Sequence, residues 1–238
     1  MEKSYRIFLC LFFYFPVVFA GNMKLYYERP AEYFEEALVI GNGTMGATLY
    51  GGVKKDKISF NDITLWTGEP ESENSSPDAF NVIPEIRALL DNEDYQGADK
   101  AQYKVQGHYS ENYQPLGTLT IEYLDDTAGI SDYHRWLDIG NATARTQYLK
   151  DGKLFTSDYF ASAPDSVIVI RLKSENKEGI HASLSFDSPL PHSSQVADNE
   201  ISVEGYAAYH SFPVYYKAED KHRYDPERGI HFKTLVRV

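Results

Sequence analysis

The sequence is almost devoid of cysteine, and its single thiol, Cys10, lies in an apolar N-terminal stretch. One cysteine excludes a disulfide framework and a cysteine-rich zinc site within the chain. Basic residues are also few, with 23 Lys and Arg against 35 Asp and Glu and a net charge of -12. This balance argues against nucleic acid or an anionic membrane surface as a partner. The seven histidines form no metal-binding motif, so we expect neither a metal nor a cofactor.

The chain also lacks an apolar run long enough for a comfortable membrane span. Its N-terminus instead has the pattern of a secretory signal peptide. Lys3 and Arg6 precede an apolar region over residues 7–19, and Ala20 fits a small-residue cleavage site. We therefore expect a signal peptide over residues 1–20 and an exported protein, in the bacterial periplasm or outside the cell. One mature domain over residues 21–238 would follow.

Hydrophobic periodicity favours strands over most of the mature chain. Two alternating runs over Ala144–Phe160 flank Asp151-Gly152, a pair typical of a type I′ hairpin turn. Further strands are expected over Leu25–Glu28, Ala37–Ile40, Ala47–Tyr50, Lys57–Phe60, Ile63–Trp66, Leu119–Tyr123, Val167–Leu172, Ala182–Phe186, Ile201–Gly205 and Ile230–Val238. The continuous apolar run Val167–Leu172 predicts a strand covered on both faces. The fold class is therefore mainly β, a large sandwich of antiparallel sheets.

A short helical insertion interrupts the strands at about residues 78–107. An apolar stripe over Ile83–Leu90 predicts a first helix, with Pro84 in its first turn. A second helix is expected over Tyr95–Val105, ending before Gly107 as a C-terminal cap.

Three glycines near the N-terminus satisfy the dinucleotide-binding pattern GxGxxG, at Gly41, Gly43 and Gly46. That pattern binds a pyrophosphate only when a helix follows the glycines. A strand-like run with two more glycines follows here, so we interpret the segment as a β-hairpin.

Several motifs occur in a specific order along the chain. They are EAL and IGNG at 36–43, NDITLWTG at 61–68, IRALL at 86–90, YQPLG at 113–117, YHRWLD at 133–138 and YFAS at 159–162. Together they resemble the N-terminal domain of glycoside hydrolase family 95, the α-L-fucosidases. The resemblance implies a large supersandwich-like domain followed by an (α/α)6 barrel. It also implies hydrolysis of terminal α-L-fucosyl linkages with inversion by carboxylates of that barrel. We expect this chain to stop before the barrel and to carry no catalytic residue.

Sugar binding is the chemistry that the chain itself could perform. A sugar needs an aromatic platform for its apolar face and polar groups for its hydroxyls. Asn61, Trp66, Tyr113 and Gln114 are the candidate contacts, on segments expected to be loops. The alternative is structural, with Trp66 packed between the sheets and Asn61 capping a turn.

Three functions are compatible with these observations. The first is the N-terminal domain of a secreted fucosidase-like hydrolase, with a fucosylated glycan as substrate of the full-length enzyme and the helical barrel as intramolecular partner. The second is a stand-alone carbohydrate-binding module. The third is an exported sandwich that binds protein.

Overall fold

The computed structural model describes residues 23–70, 78–107 and 109–238. The expected signal peptide at 1–20 lies outside these residues. No helix among the described residues is long and apolar enough to cross a membrane.

The described residues form fifteen strands and two helices, with a single 3-10 turn at Phe34–Glu36. In chain order they are β1 (Lys24–Tyr27), β2 (Leu38–Gly41), β3 (Met45–Leu49), β4 (Lys55–Asp62), α1 (Ala79–Asp91), α2 (Tyr95–Gln102), β5 (Gly117–Tyr123), β6 (Ile130–Asp138), β7 (Thr143–Lys150), β8 (Lys153–Ser162), β9 (Val167–Ser174), β10 (Ala182–Asp187), β11 (His192–Ala197), β12 (Glu200–Tyr206), β13 (His210–Ser211), β14 (His222–Arg223) and β15 (His231–Arg237).

Two five-stranded antiparallel sheets form the body of the fold. Their strand orders are β1-β6-β7-β8-β9 and β10-β5-β4-β3-β2. The inward residues of both sheets build one core, because side chains alternate between the faces of a strand. Leu49, Ile58 and Ile121 from one sheet and Ala144 and Tyr159 from the other are almost fully buried. The predicted mainly-β sandwich is confirmed.

A three-stranded sheet, in the order β11-β12-β15, and a two-stranded hairpin, β13-β14, complete the fold. Val203 of β12 is fully buried and joins the common core. The β13-β14 hairpin lies beside the loops before α1 and after α2, where it helps to form the candidate site described below.

The local turn chemistry follows the sequence at two hairpins. Asp151 and Gly152 have φ values of +51° and +72° between β7 and β8, as the Asp-Gly pair predicts. The GxGxxG segment is the β2-β3 hairpin, in which the Asn42 carboxamide oxygen accepts from the backbone N–H of Thr44 and Met45 at 3.0 and 2.8 Å. No helix follows the glycines, which confirms that the segment is not a dinucleotide-binding motif.

The strand predicted over Ile63–Trp66 is wrong, because β4 ends at Asp62 and a turn follows. The Asp62 carboxylate accepts from the backbone N–H and the hydroxyl of Thr64, at 2.9 and 2.6 Å. This local side-chain turn outweighs the β propensity of the apolar residues.

The helical insertion lies where it was predicted, but its helix ends differ. Helix α1 begins at Ala79, so Pro84 is its sixth residue and not part of the first turn. Helix α2 ends at Gln102 rather than Val105, and Gly107 therefore does not cap it.

The apolar run in β9 is covered on one face only. β9 is the outer strand of its sheet, and Val167 is 43% exposed. Ile168, Ile170 and Leu172 pack against the core, whereas the alternate residues face outward. The prediction of a strand covered on both faces is wrong, because the outward side chains of Val167 and Arg171 are exposed.

Candidate functional site

The structure brings Trp66 and Tyr113 together at one end of the sandwich. The two residues face each other across an isolated antiparallel bridge. Their ring centroids are 5.5 Å apart, with an angle of 59° between the ring planes. Trp66 is 43% exposed and Tyr113 is 42% exposed. This exposure contradicts the alternative that Trp66 packs between the sheets, and it leaves an aromatic surface open to a ligand.

The Trp66 ring is held by its own turn. Its indole N–H donates to the backbone carbonyl of Ile63 at 3.0 Å. A ligand at this site would therefore contact the faces and edges of the ring, since the indole donor is already used.

The Tyr113 hydroxyl stays neutral and able to donate. Partial burial, and then the negative charge of Asp62, raise the pKa of Tyr113 above its ordinary value. A neutral phenol can donate and accept, which is what sugar hydroxyls require.

The other two sugar-contact candidates are held within the protein. The Asn61 carboxamide oxygen accepts from the backbone N–H of Leu116 at 3.2 Å. Gln114 is 7% exposed, and its backbone N–H donates to the carbonyl of Leu65 at 2.9 Å. Asn61 and Gln114 thus join the segments that carry Trp66 and Tyr113, and the two aromatic residues provide most of the accessible surface.

A network around Glu111, which sequence reasoning missed, fixes this end of the fold. One carboxylate oxygen of Glu111 accepts from Nδ1–H of His210 at 2.8 Å. The other accepts from the backbone N–H of Ser211 at 3.0 Å and from the hydroxyl of Thr67. Because a carboxylate only accepts, Nδ1 of His210 carries a proton. Glu111 therefore ties the loop of Trp66, the loop of Tyr113 and the hairpin β13-β14 together.

Additional contacts support the same junction. The backbone N–H of Gly68 donates to the carbonyl of Ala208 at 3.1 Å. Arg228 pairs with Glu69 through two hydrogen bonds, of which the one from Nε is 2.8 Å long. The Arg228 guanidinium also lies 3.7 Å from the centroid of the Tyr209 ring. The loop after Trp66 is thus positioned by residues far away in sequence.

Aromatic rings form a second cluster next to this network. The rings of Phe212 and Tyr216 stack with centroids 4.9 Å apart, and Tyr109 packs against both. The hydroxyl of Tyr109 lies 3.3 Å from Nε2 of His210. Nothing local in the sequence marks these residues as neighbours, since Tyr109 and Phe212 are brought together only by the packing of distant segments.

No group of three or more potential metal-binding side chains converges within residues 23–70, 78–107 and 109–238. The site is therefore best described as an exposed aromatic pair with polar neighbours, supported by a partly buried hydrogen-bond network.

Comparison with known proteins relates the chain to glycoside hydrolases. A family model described as "Glycosyl hydrolase family 65, N-terminal domain" matches residues 25–238. Alpha-L-fucosidase 2 from Arabidopsis thaliana is 30% identical over 223 residues, which are 91% of this chain and 26% of that protein. A probable alpha-fucosidase A from Aspergillus niger is 30% identical over 169 residues, covering 66% of this chain and 21% of that protein. A probable alpha-fucosidase A from Aspergillus oryzae is 27% identical over 145 residues, covering 58% and 20%. The chain spans about a quarter or less of the length of these curated relatives.

Proposed function

Because the chain belongs to the glycosyl hydrolase family 65 N-terminal domain family, we propose that it serves as the N-terminal β-sandwich of a longer, exported α-L-fucosidase-like hydrolase. One observation carries this proposal. The family match extends over residues 25–238, while the chain spans only 26% of an α-L-fucosidase that it matches along most of its own length. The predicted kinship with the N-terminal domain of a fucosidase is confirmed at this level.

The chemistry of such an enzyme would reside outside this domain. Inverting hydrolysis uses two carboxyl groups, one of them protonated near neutral pH through a raised pKa. Asp56 is the one carboxyl among the described residues whose pKa is clearly raised, to about 6, and burial is the main cause. Asp56 is only 1% exposed, so no substrate reaches it. We therefore assign the inverting hydrolysis of terminal α-L-fucosyl linkages to carboxylates of a helical barrel in the full-length protein.

The sandwich would contribute to substrate binding through its aromatic pair. Fucose is a 6-deoxy sugar, and its methyl group and ring hydrogens form apolar surface that packs on aromatic rings. The exposed rings of Trp66 and Tyr113 supply such a surface. These residues would line one wall of the site that receives the fucosylated glycan.

The expected helical barrel would also cover apolar surface of this domain. The tip of the β13-β14 hairpin exposes 89% of Val214, 82% of Tyr215 and 48% of Tyr216. Adjacent apolar side chains with this exposure are typical of a surface that contacts another domain or protein. Their position beside the Glu111 network would place the contact near the aromatic pair.

The proposal is tested by purifying the native product and measuring its mass and its release of fucose from 2′-fucosyllactose. We expect a polypeptide roughly four times as long as this chain, since the chain spans 26% of its relative. The native product should release fucose, and the 238-residue chain alone should not. A native product of 27.1 kDa or less that releases fucose contradicts the proposal.

The second candidate function is a stand-alone carbohydrate-binding module. The exposed rings of Trp66 and Tyr113 specifically favour this function, because they could contact a sugar without the help of a further domain. Calorimetric titration of the chain with 2′-fucosyllactose and with lactose distinguishes fucose-dependent binding. For this function, Trp66→Ala should weaken binding by about tenfold, as expected for loss of a stacking contact. Tyr95→Ala, at an exposed position on α2, is the control that should bind like the wild type.

A further inference from the structure

A second concave site lies at the other end of the sandwich, between the two five-stranded sheets. Its volume is about 60 Å³. The residues at its base are Tyr123 from β5, Tyr148 from β7 and Phe155 from β8, each at most 8% exposed. The rings of Tyr148 and Phe155 stack at 4.8 Å, and Tyr123 meets Phe155 edge-on at 5.2 Å. The base of the pocket is therefore rigid and aromatic.

Tyr148 supplies an unused polar group at this base. Its side chain lines the pocket and is 3% exposed, and within the described part of the chain its hydroxyl makes no hydrogen bond. Burial raises the pKa of Tyr148, so the phenol remains protonated. Within the described residues the buried side-chain oxygens without a partner belong to Thr48 and Thr234, so the Tyr148 hydroxyl is accessible from the pocket and can bond to water or a ligand there. The pocket thus presents one hydrogen-bonding group among apolar rings, an arrangement typical of small-ligand sites.

The rim of the pocket is polar and carries both signs of charge. Nζ of Lys150 lies 3.9 Å from the carboxylates of both Asp125 and Asp126. Nζ of Lys153 lies 3.3 Å from the carboxamide oxygen of Asn176. Because ammonium groups and carboxylates stand side by side on the rim, it favours a neutral ligand with several hydroxyls over a strongly charged one.

The volume decides which part of a ligand can enter. A cavity needs about 10–15 Å³ of this volume for each water, so the pocket holds about five waters. A whole pyranose ring does not fit, whereas the carbon and oxygen of a hydroxymethyl group do. The carbon would contact the rings of Tyr148 and Phe155, and the oxygen would accept from the Tyr148 hydroxyl.

We propose that this pocket binds the hydroxymethyl group of a neutral hexopyranose unit in a glycan. The site is distinct from the Trp66–Tyr113 pair, because the two lie near opposite ends of β5, whose seven residues span about 20 Å. A domain with both sites holds a glycan at a second point, away from the fucosyl end.

The test compares sugars that differ only in the group that enters the pocket. The full chain is titrated by NMR with methyl β-D-glucopyranoside and with methyl β-D-xylopyranoside, which lacks the hydroxymethyl group. Methyl β-D-galactopyranoside and methyl α-L-arabinopyranoside form a second such pair. In at least one pair we expect the hexoside to bind with a dissociation constant on the order of 1 mM. Its pentoside should bind at least about tenfold more weakly. Equal binding of hexoside and pentoside in both pairs, or no saturable binding at all, overturns the proposal.

Variants locate the bound sugar. Tyr148→Phe removes only the phenol oxygen and should weaken hexoside binding by about fivefold, the usual effect of one neutral hydrogen bond. Tyr103→Phe changes an exposed tyrosine outside the pocket and is the matched control. Lys153→Ala changes an exposed residue on the rim and should also weaken hexoside binding. It replaces Tyr148→Phe as the test variant if Tyr148→Phe fails to fold.

The same variants separate this proposal from the proposed function. The NMR shift changes caused by the hexoside should fall on residues of the pocket and not on Trp66 or Tyr113. Wild-type binding by both pocket variants overturns the pocket site, as do shift changes confined to Trp66 and Tyr113. Neither result bears on the family or on fucose release by the native enzyme.

Discussion

The buried Asp56 carboxyl makes the stability of this domain depend on pH in an unusual direction. Asp56 is 1% exposed and accepts from the hydroxyl of Tyr159 at 2.6 Å and from the backbone N–H of Gly52 at 2.9 Å. Burial disfavours the charged form more strongly than these hydrogen bonds favour it. The pKa of Asp56 is therefore raised from 3.8 to about 6.

The sign and size of the effect follow from linkage. A raised pKa means that the folded state holds the proton more tightly than the unfolded state does. The stabilisation is thus complete below about pH 4 and is lost as the pH rises through about 6. A shift of about two units corresponds to about 3 kcal/mol, because each unit is about 1.4 kcal/mol. We expect the Asp56 contribution to the free energy of unfolding to fall by about that amount between pH 4 and pH 7.

The assay is urea unfolding of the wild type and of Asp56→Asn at several values between pH 4 and pH 7. Asparagine at this position does not titrate, and its amide nitrogen cannot accept from the groups that donate to Asp56. The free energy of unfolding of the variant is therefore lowered by the same amount at every pH. Subtracting the two free energies removes the effects of all other carboxyls. The wild type should lose about 3 kcal/mol relative to the variant as the pH rises. A difference that stays constant, or that changes in favour of the wild type, refutes the reasoning.

Three further predictions concern stability. Glu111→Gln should lower the free energy of unfolding by about 1–3 kcal/mol in urea, because an amide group cannot accept from all the donors around this carboxylate; an unchanged midpoint contradicts the role of the network. Partial burial of Asp158 is outweighed by its hydrogen bonds from two arginines, which lower its pKa, so its stabilisation should be lost below about pH 4. Asp158→Asn should flatten the acid side of a thermal unfolding profile, and a profile like that of the wild type counts against this. Gly52→Ala should cost at least about 2 kcal/mol, since its Cβ would lie 2.0 Å from the backbone carbonyl of Lys55. Gly152→Ala meets no atom and should cost about 1–2 kcal/mol for its positive φ alone; equal losses in the two variants refute the steric argument.

The surface that could bind sugar was only partly predictable. Trp66 and Tyr113 stand in turn-rich segments, and their residue types indicated a sugar contact before their positions were known. Their pairing across a bridge, and the burial of Gln114, depend on how two distant loops meet. The contribution of these residues to glycan binding stays a prediction.

The Glu111 network shows why other parts of the site escaped sequence analysis. Glu111 bonds to Thr67 and Ser211, which lie 44 and 100 residues away along the chain. A glutamate in a polar loop has no local mark that separates a solvated side chain from one held in a hydrogen-bond network. Only the position of the β13-β14 hairpin turns it into a central acceptor.

The sequence by itself determined most of the strands, two of the hairpins and the fold class, because alternation of apolar residues and an Asp-Gly pair act through neighbours along the chain. The tertiary structure alone decided that β9 is an edge strand, that Asp56 is buried beneath Tyr159, and that a pocket lies between the sheet ends. These features depend on the order of strands across the sheets and on contacts between distant segments, so periodicity within one segment carries no information about them.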